Sequence, residues 1–324
     1  MPRVTIVISA VGSIPSLEST LVSVLENRPS DCEILVALAQ PYADPYQLAG
    51  EVRFVQAKRR SAMVACLNDA LRNARAPFVH LLSSGCTVSE GWIEPALARF
   101  GDKRLASVAP LVMDAEPPHT IVAAGLSYRR GGRRRLLCRG EAAVPSAALA
   151  GLVGPCGFAA FYRKSAVETA GGLCPALGLA QADVELAITL ARMGLATALE
   201  PQSVVSAGRE LEAQESALQL SLHEERLFWR NLPERGRAAA LIAHTGLVAA
   251  DTLRALARPA SLVGLAGRAL ACCQVGGYVR RHALLKQLGS RVHTAGATRE
   301  GARFDSAHSA PSLARASNVG ASSR

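Results

Sequence analysis

Two carboxylates, Asp183 and Glu185, and one run of small residues, Ser83-Ser84-Gly85-Cys86, stand out as side chains whose types and setting could do chemistry. Asp183 precedes Val184-Glu-Leu-Ala-Ile-Thr-Leu-Ala-Arg192, which reads as a helix, and follows Gly178-Leu-Ala-Gln-Ala182, which reads as a loop. A carboxylate at such a point either caps the helix by accepting from its free amides or, facing a cleft, takes a proton from a substrate hydroxyl. Glu185 lies two residues on, about 200° around the helix, so the two carboxylates cannot face one pocket. Ser83 and Ser84 could hydrogen-bond ribose or phosphate, or simply close a turn. Positive charge for an anionic group is available at Lys58, Arg59 and Arg60, and again in Tyr128 to Arg139, which holds six arginines and no acid. Guanidinium forks suit phosphate, but the second cluster reads as a solvated basic loop.

The elements that would hold these groups are legible nearby. Ala62, Met63, Ala65, Cys66, Ala70 and Leu71 recur at helical spacing, and Pro77 then forces an extended segment. Phe78, Val79, Leu81 and Leu82 nearly fill that strand with apolar side chains, as in a parallel strand covered on both faces. Its carboxyl end delivers Ser83 and Ser84, and open parallel sheets bind ligands there. His80 alternates into the same strand and reads as a core residue with its hydrogen bonds satisfied.

Four segments, in order, resemble the family 2 glycosyltransferases, in particular their rhamnosyltransferase-like branch. Val4-Thr-Ile-Val-Ile-Ser9 followed by Leu17-Glu-Ser-Thr-Leu-Val-Ser-Val-Leu25 is similar to the family's first strand and "TLxSVL" helix, and Glu33-Ile-Leu-Val-Ala37 to its second strand. In the Ser61 to Trp92 block Asn68 stands where the family has asparagine, and Gly91-Trp92-Ile93-Glu94 resembles its "GWLE" turn. From Gly154 to Gly194, GPCGFAAFYRKSAVETAGGL resembles the acceptor-side segment, and Ala182-Asp183-Val184-Glu185-Leu186 falls on the "EDxDL" motif.

The resemblance implies an α/β GT-A nucleotide-sugar fold, Rossmann-like with a mostly parallel sheet, over residues 1–208. It also implies inverting sugar transfer, with Asp183 and Glu185 as the catalytic acids and Asp183 the base. Donor contacts are expected from Ser9, Asp44, Arg59, Arg60, Asn68, Ser83 and Ser84. The departures fall on the acids: Leu38-Ala39-Gln40 stands where the family has acids that hold the nucleotide base, leaving Asp44 as the nearest carboxylate. Gly85 replaces the metal-binding acid, Ala182 the first acid of the pair, and the final histidine is lost near Ala207. A glycine donates no side-chain oxygen to Mg²⁺ or Mn²⁺, so no cofactor is expected and arginines would take the place of the cation.

Composition bounds the remainder. With 324 residues, 49% hydrophobic and 19% charged, the chain can bury a substantial core. Its net charge of +10 favours anionic partners, but aromatics are only 4% and none interleave with the arginines, so specific nucleic-acid binding is not expected. Eight cysteines form no CxxC pair and seven histidines are scattered. No GxGxxG, P-loop or GxSxG motif appears. The amino terminus lacks a signal-peptide pattern, so a cytoplasmic chain is expected, with peripheral contact at the inner face of the membrane as an option. Residues 142–162 read as buried loop and strand, 209–289 as a helical carboxyl-terminal region, and 290–324 as a disordered tail. The basic helices either rest on an anionic membrane or pack on the first domain with their arginines in solvent. Two functions follow: a nucleotide-sugar-dependent transferase acting on a glycan or lipid-linked acceptor, or a noncatalytic relative that keeps the fold as a binding or assembly module.

Overall fold

The computed structural model describes residues 1–56, 63–208, 215–256, 263–274, 276–278 and 283. Arg59 and Arg60, with Lys58, and the tail from 290 lie outside these residues. In chain order the elements are β1 (Val4–Ser9), α1 (Ile14–Asn27), β2 (Cys32–Leu38), β3 (Val52–Gln56), α2 (Met63–Asn73), β4 (Phe78–Ser83), β5 (Cys86–Val88) and α3 (Ile93–Arg99). There follow β6 (Leu105–Asp114), β7 (Ile121–Ala123), β8 (Leu126–Tyr128), β9 (Arg134–Leu136), β10 (Ala159–Arg163), α4 (Lys164–Ala170), α5 (Leu179–Arg192) and β11 (Ala196–Ala207). Three helices close the described chain: α6 (Ala217–Arg230), α7 (Arg237–Leu256) and α8 (Val263–Cys272).

The main sheet runs β3-β2-β1-β4-β10-β6-β11-β5, with β7 beside β6. Strands β1 to β4 are mutually parallel, and β10 is antiparallel to both of its neighbours. The sheet is wound outward in both directions from the β1/β4 pair, so the crevice beyond the carboxyl ends of these two strands is its topological switch point. Ser9 pairs in register with Ser83 there.

Alternation along β1 explains the layering. Val4, Ile6 and Ile8 enter a core shared with α1 and α3, whereas Val7 faces the core formed with α2, α4 and α5. All six β1 residues are buried, as are all but the first of β4. Ser13 caps α1 by accepting from the Ser16 amide at 3.3 Å.

His80 is fully buried and stacks on Phe161 with centroids 3.9 Å apart. Its Nδ1 lies 3.3 Å from the Ala160 carbonyl, but Nε2 has no partner, so this core histidine is only half satisfied. Burial lowers its pKa to about 3 from 6.5. The unfolded chain then binds the proton first, so this group's contribution to stability is present above pH 6.5 and is lost as pH falls toward 3. Replacing His80 by leucine should remove that dependence, which between pH 6.5 and pH 5 amounts to about 2 kcal/mol. Urea midpoints of both proteins across this pH range measure it.

Residues 142–162 divide differently from the sequence expectation. Residues 146–151 form a 3₁₀ turn whose described side chains are exposed, and burial begins only as the chain approaches β10. The turn is built mostly of small residues between Pro145 and Leu152, and Ala147, Leu149 and Ala150 stay exposed. Among the described residues no helix is long and apolar enough to cross a membrane.

Helices α6 and α8 cross closely because α8 presents Gly264 and Gly267. A Cβ on Gly267 would stand 2.3 Å from the Leu218 carbonyl of α6. Arg268 next to them is buried rather than solvated, and reaches Glu225 and Asp251, each at 2.9 Å. That corrects the expectation of solvent-facing arginines: three helices that leave carboxylates inside must bring cations in with them.

Candidate active site

A cleft of about 780 Å³ opens at the switch point. Its floor is Val11 after β1, Ser83 at the end of β4, and Gly157 and Phe158 before β10, while Leu179 and Ala180 at the start of α5 close one side. The opposite wall is the β8–β9 hairpin, which brings Arg129, Arg134 and Arg135 to the cleft, with Arg139 just beyond it.

The hairpin's geometry follows from its sequence. Arg129 and Arg133 close the turn through a backbone bond of 3.0 Å, and Gly132 takes φ +99°, a conformation that favours glycine. A side chain at Gly132 would also meet Phe228 of α6 at 3.0 Å, so the turn lies flat on that helix. Alternation along β9 then sends Arg134 inward and Arg135 to solvent.

Arg134 meets Asp183. Its Nη2 donates to Oδ2 at 2.8 Å and its Nε to Oδ1 at 3.3 Å, a two-point fork whose side chains are 14% and 3% exposed. The Gly157 amide donates to Oδ2 at 2.8 Å, and the Val184 amide to Oδ1 at 2.6 Å. Burial pushes the Asp183 carboxyl up, while Arg134 and the two amides pull the other way. Two expectations are corrected here. The Tyr128 to Arg139 cluster is not a solvated loop, because Arg134 is committed to Asp183 and Arg133 to Asp251 at 2.6 Å. Nor does Asp183 stand at a helix start: α5 begins at Leu179 after Gly178, so Asp183 lies in its second turn and its carboxylate points across to the floor. Alanines 180 and 182, which resembled a loop beside Gly178, are strong helix formers.

Glu185 faces the other way, as its position on α5 requires. It is buried and accepts from Arg230 Nε of α6 at 2.8 Å, outside the cleft. Ser83 donates to the Gly157 carbonyl at 3.3 Å and accepts from Ser9 at 3.2 Å, so the floor is a chain of hydrogen bonds from β1 through β4 to Gly157 and Asp183. Ser84 is buried and ties the loop after β1, accepting from the Val11 amide at 2.9 Å and donating to the Val11 carbonyl. Asn68 of α2 brackets Leu173, donating to its carbonyl at 2.7 Å and accepting from its amide at 2.9 Å. Asp44 accepts from the Leu48 amide at 2.9 Å on the loop after β2. The structure thus brings Ser9, Ser83 and Asp183 together and leaves Asn68, Asp44 and Glu185 apart from them.

Arg134, Gly157 and Glu141 of the cleft were not singled out from sequence. The signal for the first was the Gly131-Gly132 pair between basic residues, a hairpin signature.

The donor set does not suit a divalent cation. Glu141 is the sole carboxylate among the lining residues, against four arginines, and no group of three His, Cys, Asp or Glu among the described residues could hold a metal ion. Gly85 adopts φ +86°, with its amide donating to the Ser16 carbonyl and Thr20 Oγ1. A side chain here is strained whatever its chemistry, so Gly85→Ala should cost about 1–2 kcal/mol, read as a shift in the denaturation midpoint.

Comparison with known proteins gives the fold a place. The chain matches no protein-family model. It is 32% identical over 123 residues to polypeptide N-acetylgalactosaminyltransferase 12 of Mus musculus, a match that covers 35% of this chain and 21% of the mouse protein. The structure of GalNAc-T7 with UDP, GalNAc and Mn²⁺ superposes with a TM-score of 0.57 at 14% identity, over 72% of this chain and 49% of that one. The mannosyltransferase PcManGT from Pyrobaculum calidifontis, in complex with GDP-Man and Mn²⁺, gives 0.50 at 17% identity, over 90% and 87%. This chain therefore spans about a fifth of the mouse relative and half of GalNAc-T7. The fold is GT-A, as the sequence resemblance implied.

Proposed function

We propose that this GT-A chain is a glycosyltransferase of the family 2 type, which moves a sugar from a nucleotide-sugar donor to a glycan or lipid-linked acceptor with inversion. Arginines, rather than a divalent cation, would hold the donor's diphosphate. The observation that carries the reading is the Arg134–Asp183 pair at the sheet's switch point: Arg134 lines a cleft rich in arginine, and Asp183 is buried directly behind it. GalNAc-T7 with UDP and PcManGT with GDP-Man have in common a nucleoside diphosphate, the group that guanidinium forks recognise.

In the proposed mechanism an incoming diphosphate competes with Asp183 for Arg134. As the guanidinium turns to the phosphates, Asp183 keeps its burial and loses its counterion, which makes it a stronger base. The acceptor hydroxyl gives its proton to Asp183 while its oxygen bonds to the anomeric carbon. The bond from that carbon to the diphosphate breaks on the opposite face, and the electron pair leaves with the nucleoside diphosphate against the arginines. Ser9 and Ser83 fix the floor, and Arg129 and Arg135 supply further positive charge. Asp44, Asn68, Ser84, Arg59 and Arg60 remain part of the donor-side proposal, with Asn68 and Ser84 acting by holding loops. Glu185 supports α5 through Arg230.

A second reading, a noncatalytic binding or assembly module, is favoured by one observation: both Asp183 and Glu185 are already engaged by partly buried arginines. A transfer assay with a panel of nucleotide sugars, scored for release of nucleoside diphosphate, separates the two. Release that depends on acceptor supports the transferase, and nucleotide binding without release from any donor supports the module. Peripheral membrane contact belongs to the same proposal, since a lipid-linked acceptor would be met there.

A further inference from the structure

Among the described residues, helix α7 is covered on one side only. Ala240 and His244 are buried against the rest of the fold, and His244 lies between the Gly131 carbonyl at 2.8 Å and Glu225 at 2.9 Å. The face turned away from them carries Ala238, Ala239, Ile242, Gly246, Ala249 and Leu253, all exposed and all uncharged. Ile242 and Leu253 are 73% and 69% exposed, and eleven residues of separation place them within about 20° of each other on the helix.

Beside this face runs a groove of about 720 Å³ between α7 and the β8–β9 hairpin, floored by Ala243, Leu247 and Ala250. Its rim carries Arg129, Arg130, Arg133, Arg135 and Arg254 against one acid, Asp251. That acid is already shared by Arg133, Arg254 and Arg268. The side chains of Arg129, Arg130 and Arg135 have no ion pair among the described residues. Unpaired guanidiniums flanking an uncharged, exposed helix face form the pattern of an interfacial helix, with apolar side chains to enter the headgroup boundary and cations to meet phosphates.

We infer that the outer face of α7, with the adjoining arginine hairpin, is a docking surface for an anionic phospholipid bilayer. The occupant follows from charge complementarity, because a neutral partner would leave Arg130 without a counterion, and Arg129 and Arg135 as well whenever the cleft holds no donor. The inference deepens the peripheral contact of the proposed function by naming its surface. Its test reads binding and not turnover, so its failure would leave the transferase reading untouched.

The full chain is sedimented with vesicles of phosphatidylcholine alone and of phosphatidylcholine mixed with phosphatidylglycerol. Binding to the mixed vesicles only, weakening as salt is raised, is expected. Arg130→Glu should weaken it about tenfold or more, given roughly fivefold per basic residue near an anionic surface. Ile242→Glu combined with Leu253→Glu should weaken it at least tenfold, and circular dichroism should find both variants folded because all three positions are exposed. Should the double variant misfold, Arg130→Glu and the salt series decide the matter alone. The inference is overturned by failure to bind mixed vesicles, by equal binding to both kinds, or by variants that bind as the parent does. It is equally overturned if sedimentation velocity finds a dimer that the double substitution dissociates without any change in vesicle binding, since a second copy would then cover this face.

Discussion

Exchanging Asp183 for asparagine is expected to lower turnover by about 10²- to 10⁴-fold, the range that general-base catalysis supplies, while donor affinity holds or rises. Asparagine keeps an oxygen for the Gly157 amide but loses the charge that competes with phosphate for Arg134. A purely structural role for Asp183 would move both quantities together through misplacement of Arg134. The split between kcat and donor Kd, measured by steady-state kinetics and titration calorimetry, therefore reports the base specifically. Undiminished turnover in the variant would remove Asp183 from the chemistry.

Replacing Arg268 by alanine is expected to destabilise the chain by about 3–5 kcal/mol, the usual effect of removing one partner from a buried ionic cluster. Arg268 joins Glu225 of α6 to Asp251 of α7 from its place on α8, and Glu225 is 3% exposed. Burial pushes the Glu225 carboxyl up, yet His244, Trp229 and Arg268 together hold it below the ordinary range, so it stays charged and needs those donors. Arg133 of the hairpin also binds Asp251, so loss of Arg268 should loosen the wall of the cleft as well as the helices. Hydrogen exchange over α6 to α8 and the 128–136 hairpin, beside a urea melt, checks both effects. Arg268→Met, which fills the same space without charge, should be milder only if the carboxylates find other donors.

These two positions also mark the limit of what the sequence could tell. Strand β4 was readable because Pro77 and four apolar residues leave few alternatives, and the switch-point location of Ser83 followed from a parallel sheet. The GT-A fold was readable from motifs recurring in order. Pairings across the fold were not. Arg134 is 49 residues from Asp183, and Arg268 is 43 from Glu225, so charge counted along the chain made both arginines look solvated. The start of α5 was missed because Gly178 serves as its cap, where glycine is tolerated, and the alanines after it carry no amphipathic signal of their own. The unsatisfied Nε2 of His80 depends on what stacks above it, which no alternation pattern contains.

If arginines hold the donor's diphosphate in this cleft, nucleotide binding needs no divalent cation. Thermal melts with uridine, guanosine and deoxythymidine diphosphates, each in EDTA and in Mn²⁺, test it most directly. At a hundredfold excess over Kd, binding stabilises by about 2.7 kcal/mol. The expected result is an equal rise in Tm in both buffers for at least one nucleotide, lost in Arg134→Ala. A rise confined to Mn²⁺, or an unchanged rise in Arg134→Ala, would contradict it.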